Sequence, residues 1–97
     1  MGNEEIKKEF DRITKRMKTL DEELKPSQND LLKMYGYYKQ AAVGPCTGTR
    51  PSVFKIKERA KYDAWKACGN LPKDQAMQKY IEFALEKIPA LRATVKL

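Results

Sequence analysis

The sequence lacks histidine altogether, has only two cysteines and contains no apolar run long enough to cross a membrane. Without histidine, neither a Ser–His–Asp nor a Cys–His arrangement can activate a nucleophile. Cys46 and Cys68 have no metal-ligand spacing, and no HExxH, paired CxxC, glycine-rich phosphate loop or calcium-loop pattern occurs. A disulfide between the two cysteines is an open alternative, but an intracellular chain keeps its thiols reduced. We therefore predict a binding protein with no catalytic residue, no metal site and no cofactor.

Charge is abundant but unevenly distributed along the chain, which carries a net charge of +7. Residues 1–25 are neutral, whereas residues 26–69 hold eight Lys/Arg against three Asp/Glu. A local excess of this kind favours an anionic partner bound to that stretch. A basic surface that only aids solubility is the alternative.

The hydrophobic pattern predicts an all-α fold, a small four-helix bundle that forms one domain over residues 1–97. The predicted helices cover about 4–22, 28–42, 55–68 and 72–88. The apolar stripe of the first helix consists of Ile6, Phe10, Ile13, Met17 and Leu20. That of the second consists of Leu31, Leu32, Tyr35, Tyr38 and Ala42. The stripe of the last helix is the most regular: Met77, Tyr80, Ile81, Ala84, Leu85 and Ile88. We assign Trp65 and Met77 to the core and expect Tyr37 to point outward.

Proline and glycine mark where these helices end. Ser27 follows Pro26 and is placed to cap the second helix, and Gly69 suits the left-handed residue that closes the third. Pro89 stops or kinks the fourth helix. Residues 43–54 contain two glycines and two prolines and are predicted to form a loop. Because this loop is long for so small a domain, we expect it to be functional or to span a distance.

Tyrosines and lysines share faces of the second and third helices. Tyr35, Tyr38 and Lys39 lie at positions i, i+3 and i+4, so two phenol rings and an ammonium group lie on one face. Lys57 and Lys61 repeat a four-residue spacing on the next helix. Rings stack on flat groups and ammonium groups attract phosphate, so this pattern indicates a ligand that has both.

Four segments in this order resemble the acyl-CoA-binding protein family. They are YGYYKQAAVG (35–44), RP (50–51), RAKYDAW (59–65) and AMQKYI (76–81), with a weaker likeness in EFD (9–11) and MKTL (17–20). Tyr62 stands where many members have tryptophan, and Pro45 and Cys46 stand where an acidic residue is common. The DEELKPSQ connection looks about two residues longer than in many members.

The resemblance implies an up-down-down-up bundle of four helices with a long loop between the second and third. It also implies that the chain binds medium- to long-chain fatty acyl-CoA thioesters, one per chain, as an intracellular carrier or buffer that supplies lipid metabolism. By that resemblance, the ribose 3′-phosphate is held by Tyr35, Lys39 and Lys61, and the adenine is flanked by Tyr38 and Tyr80. Lys57 reaches the phosphates or the pantetheine arm, and Lys18 approaches the thioester and acyl region. Gly36 and Tyr37 are further contacts within the same segment.

The acyl tail of such a ligand requires an apolar groove between helices, because each methylene removed from water contributes up to about 0.8 kcal/mol. We expect Ile13, Met17, Leu31 and Leu32 to line that groove. Affinity should then rise with acyl length until the groove is full.

Two other functions remain as alternatives on the sequence alone. A basic helical nucleic-acid-binding module fits the charge, although lysine outnumbers arginine and no recognition-helix motif is present. A peripheral membrane or protein-interaction module is supported only by the amphipathic first helix. Met1–Gly2 and Val95–Leu97 only partly match myristoylation and peroxisomal signals. We expect a cytoplasmic monomer with no stable membrane insertion, no nucleic-acid partner and a loose tail beyond Leu91.

Overall fold

The computed structural model describes residues 2–93 and is helical throughout its regular structure. The helices are α1 (Asn3–Met17), α2 (Gln28–Ala42), α3 (Ile56–Lys66), α4 (Lys73–Lys87) and a short α5 (Ala90–Ala93), with a 3₁₀ turn at Glu22–Leu24. The all-α prediction is confirmed. Among these residues no helix is both long and apolar enough to cross a membrane. Met1 and the Val95–Leu97 terminus lie outside the described residues.

The core lies where α4 packs between α1 and α2. Its buried apolar side chains are Ile6, Phe10, Ile13, Leu20, Met34, Ala41, Ala76, Tyr80, Ile81, Ala84, Ile88 and Leu91. The predicted stripes of the first and last helices therefore supply most of the core. Leu91 is fully buried and α5 extends to Ala93, and the remainder of the tail that was predicted to be loose, residues 94–97, lies outside the described residues.

Contacts between side chains fix the directions of the helices. Tyr35 contacts Lys61, and Lys39 contacts Trp65. Because the residue four positions later in α2 meets the residue four positions later in α3, the two helices are parallel. Lys33 contacts Phe83, whereas Gln40 reaches back to Leu71 ahead of α4, so α2 and α4 are antiparallel.

The first helix runs in the same direction as the last. Phe10 packs on Tyr80, and Arg12 donates to the carbonyl of Leu91 beyond the end of α4. With α2 and α3 both running the opposite way, the order is up-down-down-up, as the family resemblance implied.

The parallel pair explains the long connection between α2 and α3. Successive parallel helices require the chain to return over the length of α2, whose 15 residues span about 22 Å. The loop of residues 43–55 makes that return. The prediction that this segment is a loop that spans a distance is confirmed.

Side chains of α3 hold this loop in place. Trp65 Nε1 donates to the carbonyl of Gly44 (2.7 Å), and the hydroxyl of Tyr62 donates to that of Gly48 (3.2 Å). Arg50 forms a two-pronged ion pair with Asp63 at 2.8 and 2.7 Å, which lowers the pKa of that carboxyl. These contacts account for the RP and KYDAW segments on structural grounds.

The ends of the helices follow the local signals, with one exception. Ser27 Oγ accepts from the backbone N–H of Asp30 (3.2 Å), which confirms the predicted cap of α2. Gly69 is left-handed as predicted, at φ +61°, and lies two residues beyond Ala67, the C-cap of α3. The predicted first helix, however, is five residues too long. Its last turn tightens at Lys18 and Thr19, whose N–H groups bond three residues back, and the chain then folds Leu20 onto the core.

Helix α2 lies in close contact with the backbone of α3 at Gly36. A Cβ at this position would lie 2.4 Å from the carbonyl oxygen of Ala64 and 2.8 Å from its carbon. Since backbone atoms cannot move aside as a flexible side chain can, only glycine allows this approach. Gly36 is buried, and it sets the separation of the two parallel helices.

We expect Gly36→Ala to destabilise the fold by about 1–3 kcal/mol, because α2 and α3 must separate. Urea unfolding followed by circular dichroism measures the loss. The control is Gly2→Ala, which adds the same methyl group at the N-cap of α1 (φ −76°), where the nearest atom beyond the chain neighbours, Glu5 Oε1, is 4.0 Å away. Helix propensity alone would make Gly36→Ala stabilising, so a Gly36→Ala variant as stable as the wild type would contradict the packing role. Because alanine is a poorer N-cap than glycine, Gly2→Ala is expected to lose a little stability itself.

Candidate functional site

A groove of about 600 Å³ opens between the parallel helices α2 and α3. Its volume lies within the range of small-molecule sites. The groove is lined by Gln28, Leu31, Leu32 and Tyr35 from α2 and by Ile56, Lys57, Ala60 and Lys61 from α3. Its floor is thus apolar, while two lysines of α3 stand along one wall.

Two lysine–aromatic pairs lie one helical turn apart on this pair of helices. Lys61 Nζ lies over the ring of Tyr35, 5.2 Å from its centroid, and reaches from α3 to α2. Lys39 Nζ lies over the ring of Trp65 at 4.7 Å and reaches from α2 to α3. Cation–π attraction holds each ammonium group without neutralising its charge, so both remain able to bind an anion.

A second aromatic cluster joins α1, α2 and α4. The rings of Phe10 and Tyr38 are stacked with centroids 6.0 Å apart, and Tyr80 meets Phe10 edge-on at 5.2 Å. Tyr38 is 41% exposed, whereas Tyr80 is only 5% exposed. Burial, with a smaller contribution from Tyr38, raises the pKa of Tyr80 to about 12.

Four of the predicted site residues come together in the structure. Tyr35, Lys57 and Lys61 line the groove, and Lys39 lies beside Tyr35 one turn further along α2. Tyr38 presents its exposed ring on the neighbouring face, towards α1. Their contacts with a ligand remain predictions.

The other predicted site residues lie elsewhere. Gly36 is buried against α3, and Tyr80 is buried in the core against Phe10. Tyr37 follows Tyr35 by two positions, or about 200° around the helix, and packs edge-on against Phe83 at 6.4 Å. Because it is half-buried there, the prediction that it points outward is wrong. Lys18 is exposed at the C-terminal end of α1 and is not among the residues that line the groove.

The groove lining was predicted only in part. Leu31 and Leu32 line it, but Ile13 does not, because α1 turns this side chain fully into the core. Met17 is half-buried against the same core. Trp65, assigned to the core, is instead half-buried beneath Lys39.

Sequence reasoning missed three residues that line the groove: Gln28, Ile56 and Ala60. Ile56, Ala60 and Lys61 follow an i, i+4, i+5 spacing that could have placed them on the face of Lys57. No comparable signal marks Gln28, which is polar and stands at the first position of α2.

A larger depression of about 760 Å³ lies on the outer face of α1. It is lined by Lys8, Asp11, Arg12, Lys15, Arg16 and Thr19. None of these side chains is predominantly apolar, and Arg12 is already paired with Glu9 at 2.7 Å. No aliphatic or aromatic residue lines this surface, in contrast to the groove between α2 and α3.

Known proteins similar to this chain show which protein family it belongs to. Residues 7–84 match the family described as "Acyl CoA binding protein". The chain is 49% identical over 76 residues to an acyl-CoA-binding protein of Brassica napus, a match that covers 78% of this chain and 80% of that protein. It is 45% identical over 76 residues to the Gossypium hirsutum protein of the same name, covering 78% of this chain and 83% of that protein. The chain belongs to the acyl-CoA-binding protein family.

Solved structures agree with this membership. The crystal structure of the acyl-CoA-binding protein from Moniliophthora perniciosa superposes with a TM-score of 0.81 at 37% identity, over 88% of this chain and 82% of that one. Acyl-CoA-Binding Protein 2 of Oryza sativa gives 0.77 at 37% identity, over 95% and 99%. Human "Enoyl-CoA delta isomerase 2" is 38% identical over 87 residues, which cover 90% of this chain but 22% of that protein.

The buried phenol of Tyr80 predicts a loss of stability at high pH. Below pH 10 the phenol is protonated in both states, but between pH 10 and about 12 it ionises only in the unfolded chain. Unfolding is then favoured, by about 1.4 kcal/mol at pH 11. Urea unfolding from pH 9 to 11.5 should show a steeper decline for the wild type than for Tyr80→Phe. Parallel curves for the two proteins would contradict this role for Tyr80.

Proposed function

We propose that this chain binds medium- to long-chain fatty acyl-CoA thioesters, one per chain. The observation that carries the proposal is the groove between α2 and α3, which joins an apolar floor to a wall of lysines. A thioester of this kind has the same two-part character, an oily tail and a phosphorylated nucleotide. Membership of the acyl-CoA-binding protein family favours this ligand over nucleic acid.

The acyl tail would lie along the apolar floor of the groove, against Leu31, Leu32, Ile56 and Ala60. These side chains are partly or largely exposed in the free protein, so a bound tail would remove their surface from water as well as its own. Each methylene contributes up to about 0.8 kcal/mol, and the ordering of the tail reduces the net gain.

The nucleotide would lie at the lysine–aromatic pairs. Its phosphates bring roughly three to four negative charges, so several cations are needed to balance them. Lys39 and Lys61, with the hydroxyl of Tyr35, would hold the 3′-phosphate, because their ammonium groups stand on neighbouring turns of facing helices. Lys57, on the groove wall, would reach the other phosphates or the pantetheine arm.

The remaining predicted residues would act differently from one another. The exposed ring of Tyr38 is available to the adenine, and Tyr80 would support that ring from the core. Lys18 would approach the thioester from the end of α1. Gly36 and Tyr37 would contribute through packing, Gly36 by holding α3 close to α2.

In this proposal the chain acts as a monomeric cytoplasmic carrier that catalyses no reaction and buffers acyl-CoA for lipid metabolism. The relatives from Brassica napus and Gossypium hirsutum are acyl-CoA-binding proteins, and the match covers most of their length, which supports a binding protein rather than one domain of an enzyme. The isomerase relative is an enzyme, but this chain corresponds to only 22% of it.

Calorimetric titration with acyl-CoA from C8 to C18 tests the proposal. We expect one-to-one binding whose affinity rises with tail length by less than 0.8 kcal/mol per methylene, about fourfold, until the groove is full. Free CoA and free fatty acid are the controls, and both should bind far more weakly. Absence of binding across the series would refute the proposal, and a single-stranded oligonucleotide would then be the next ligand to titrate.

The role of Lys61 is tested by Lys61→Met against Lys87→Met. Both lysines lie over an aromatic ring, but Lys87 lies over Phe83, which packs on the opposite side of α2 from Tyr35. Loss of a charge-assisted contact should weaken every acyl-CoA roughly 10- to 100-fold in Lys61→Met, with the increment per methylene unchanged. Lys87→Met should bind like the wild type. Equal losses in the two variants would show that general charge, rather than this position, determines affinity.

A further inference from the structure

The end of the loop that joins α2 to α3 and the first residue of α3 expose three apolar side chains that are close in sequence. Phe54 is 90% exposed, Ile56 75% and Val53 61%. Lys55 stands between them and Lys57 follows, and we call residues 53–57 the apolar tip. Side chains of this size are seldom so exposed in a group unless they meet another surface.

The apolar tip is held in its exposed position by hydrogen bonds. The N–H of Lys55 donates to the carbonyl of Ser52 (2.9 Å), and the N–H of Phe54 donates to Ser52 Oγ (3.2 Å). Arg59 donates to the carbonyl of Pro51 (3.1 Å) and fastens the turn to α3. The tip is thus a defined turn that projects Phe54 into solvent.

The charge around the apolar tip is strongly positive. Residues 50–61 hold five Lys/Arg and a single acidic residue, Glu58. Asp63, the next carboxylate along α3, is already paired with Arg50. Apolar side chains that project from a basic surface match the boundary of an anionic bilayer, where the apolar groups enter the acyl region and the lysines remain among the headgroups.

We propose that the apolar tip binds reversibly to anionic lipid bilayers. This binding goes beyond the proposed function and does not depend on it, because Val53, Phe54 and Lys55 do not line the groove. Ile56 and Lys57 belong to both, so a docked tip brings the mouth of the groove to the lipid surface. An acyl chain could then pass between bilayer and groove with little exposure to water.

Co-sedimentation with vesicles, without acyl-CoA, tests this proposal. The wild type should bind vesicles of phosphatidylcholine with 30% phosphatidylserine and should bind pure phosphatidylcholine much more weakly. The double variant Val53→Ser/Phe54→Ser should lose roughly tenfold or more of the binding. Lys55→Glu should lose roughly fivefold or more.

Two control variants and an acyl-CoA titration of the double variant complete the experiment. Leu24→Ser removes a 39% exposed apolar side chain outside the tip, and Lys79→Glu reverses an exposed charge on α4. Both should bind vesicles like the wild type. The double variant should unfold at the same temperature as the wild type and bind acyl-CoA equally well, which separates this proposal from the proposed function.

Four results would overturn the proposal. The wild type could fail to sediment with either vesicle, or it could bind neutral and anionic vesicles equally. The double variant could bind as strongly as the wild type. Sedimentation velocity could also reveal a dimer that the double variant abolishes, in which case the tip is a contact between two copies of the chain.

Discussion

The close contact between Gly36 of α2 and the backbone of Ala64 in α3 is the constraint on which the site depends. The contact brings the two parallel helices together at this point along their length. The groove is lined by side chains of both helices that precede the contact in sequence. Parallel neighbours also force the chain to return over the length of α2, so the same arrangement requires the long loop. Both the groove and the long loop therefore follow from the parallel packing of α2 against α3.

Helix α3 gains little from the core, since none of its eleven residues, all described by the structure, is fully buried. It is held instead by α2 and by polar contacts with the loop, chiefly those of Trp65 with Gly44 and of Asp63 with Arg50. The Arg50–Asp63 pair is half-exposed and so contributes modestly, whereas the Trp65 bond is partly buried. Together these contacts fix the helix that carries Lys57 and Lys61. The most peripheral helix of the bundle is thus the one that supplies half of the candidate site.

Local signals in the sequence predicted the ends of the helices well, but they predicted less well which face of each helix is buried. The bounds of α2, the Ser27 cap and the left-handed Gly69 follow from short-range chemistry that needs no knowledge of the fold. The apolar stripe of α2 is different. Leu31 and Leu32 follow the helical period, yet the buried face of α2 includes Met34 and Ala41, and the two leucines lie in the groove. Periodicity locates an apolar face, but only the placement of other helices decides whether that face is core or an open site.

The leucines of the groove and the aromatic and aliphatic groups of the apolar tip share one physical property: they leave apolar surface in water that the fold does not bury. Such surface contributes nothing to the free energy of folding, and departures from the rule that apolar side chains are buried are expected at sites of function. Here both exposed apolar surfaces, the groove and the apolar tip, are formed by α2, α3 and the loop between them. This segment also holds the excess of positive charge. In the groove, a ligand that joins an apolar group to phosphates would match both the exposed apolar surface and the positive charge. At the tip, a bilayer with anionic headgroups would match both. Because Ile56 and Lys57 belong to the two surfaces together, occupation of one is expected to influence the other.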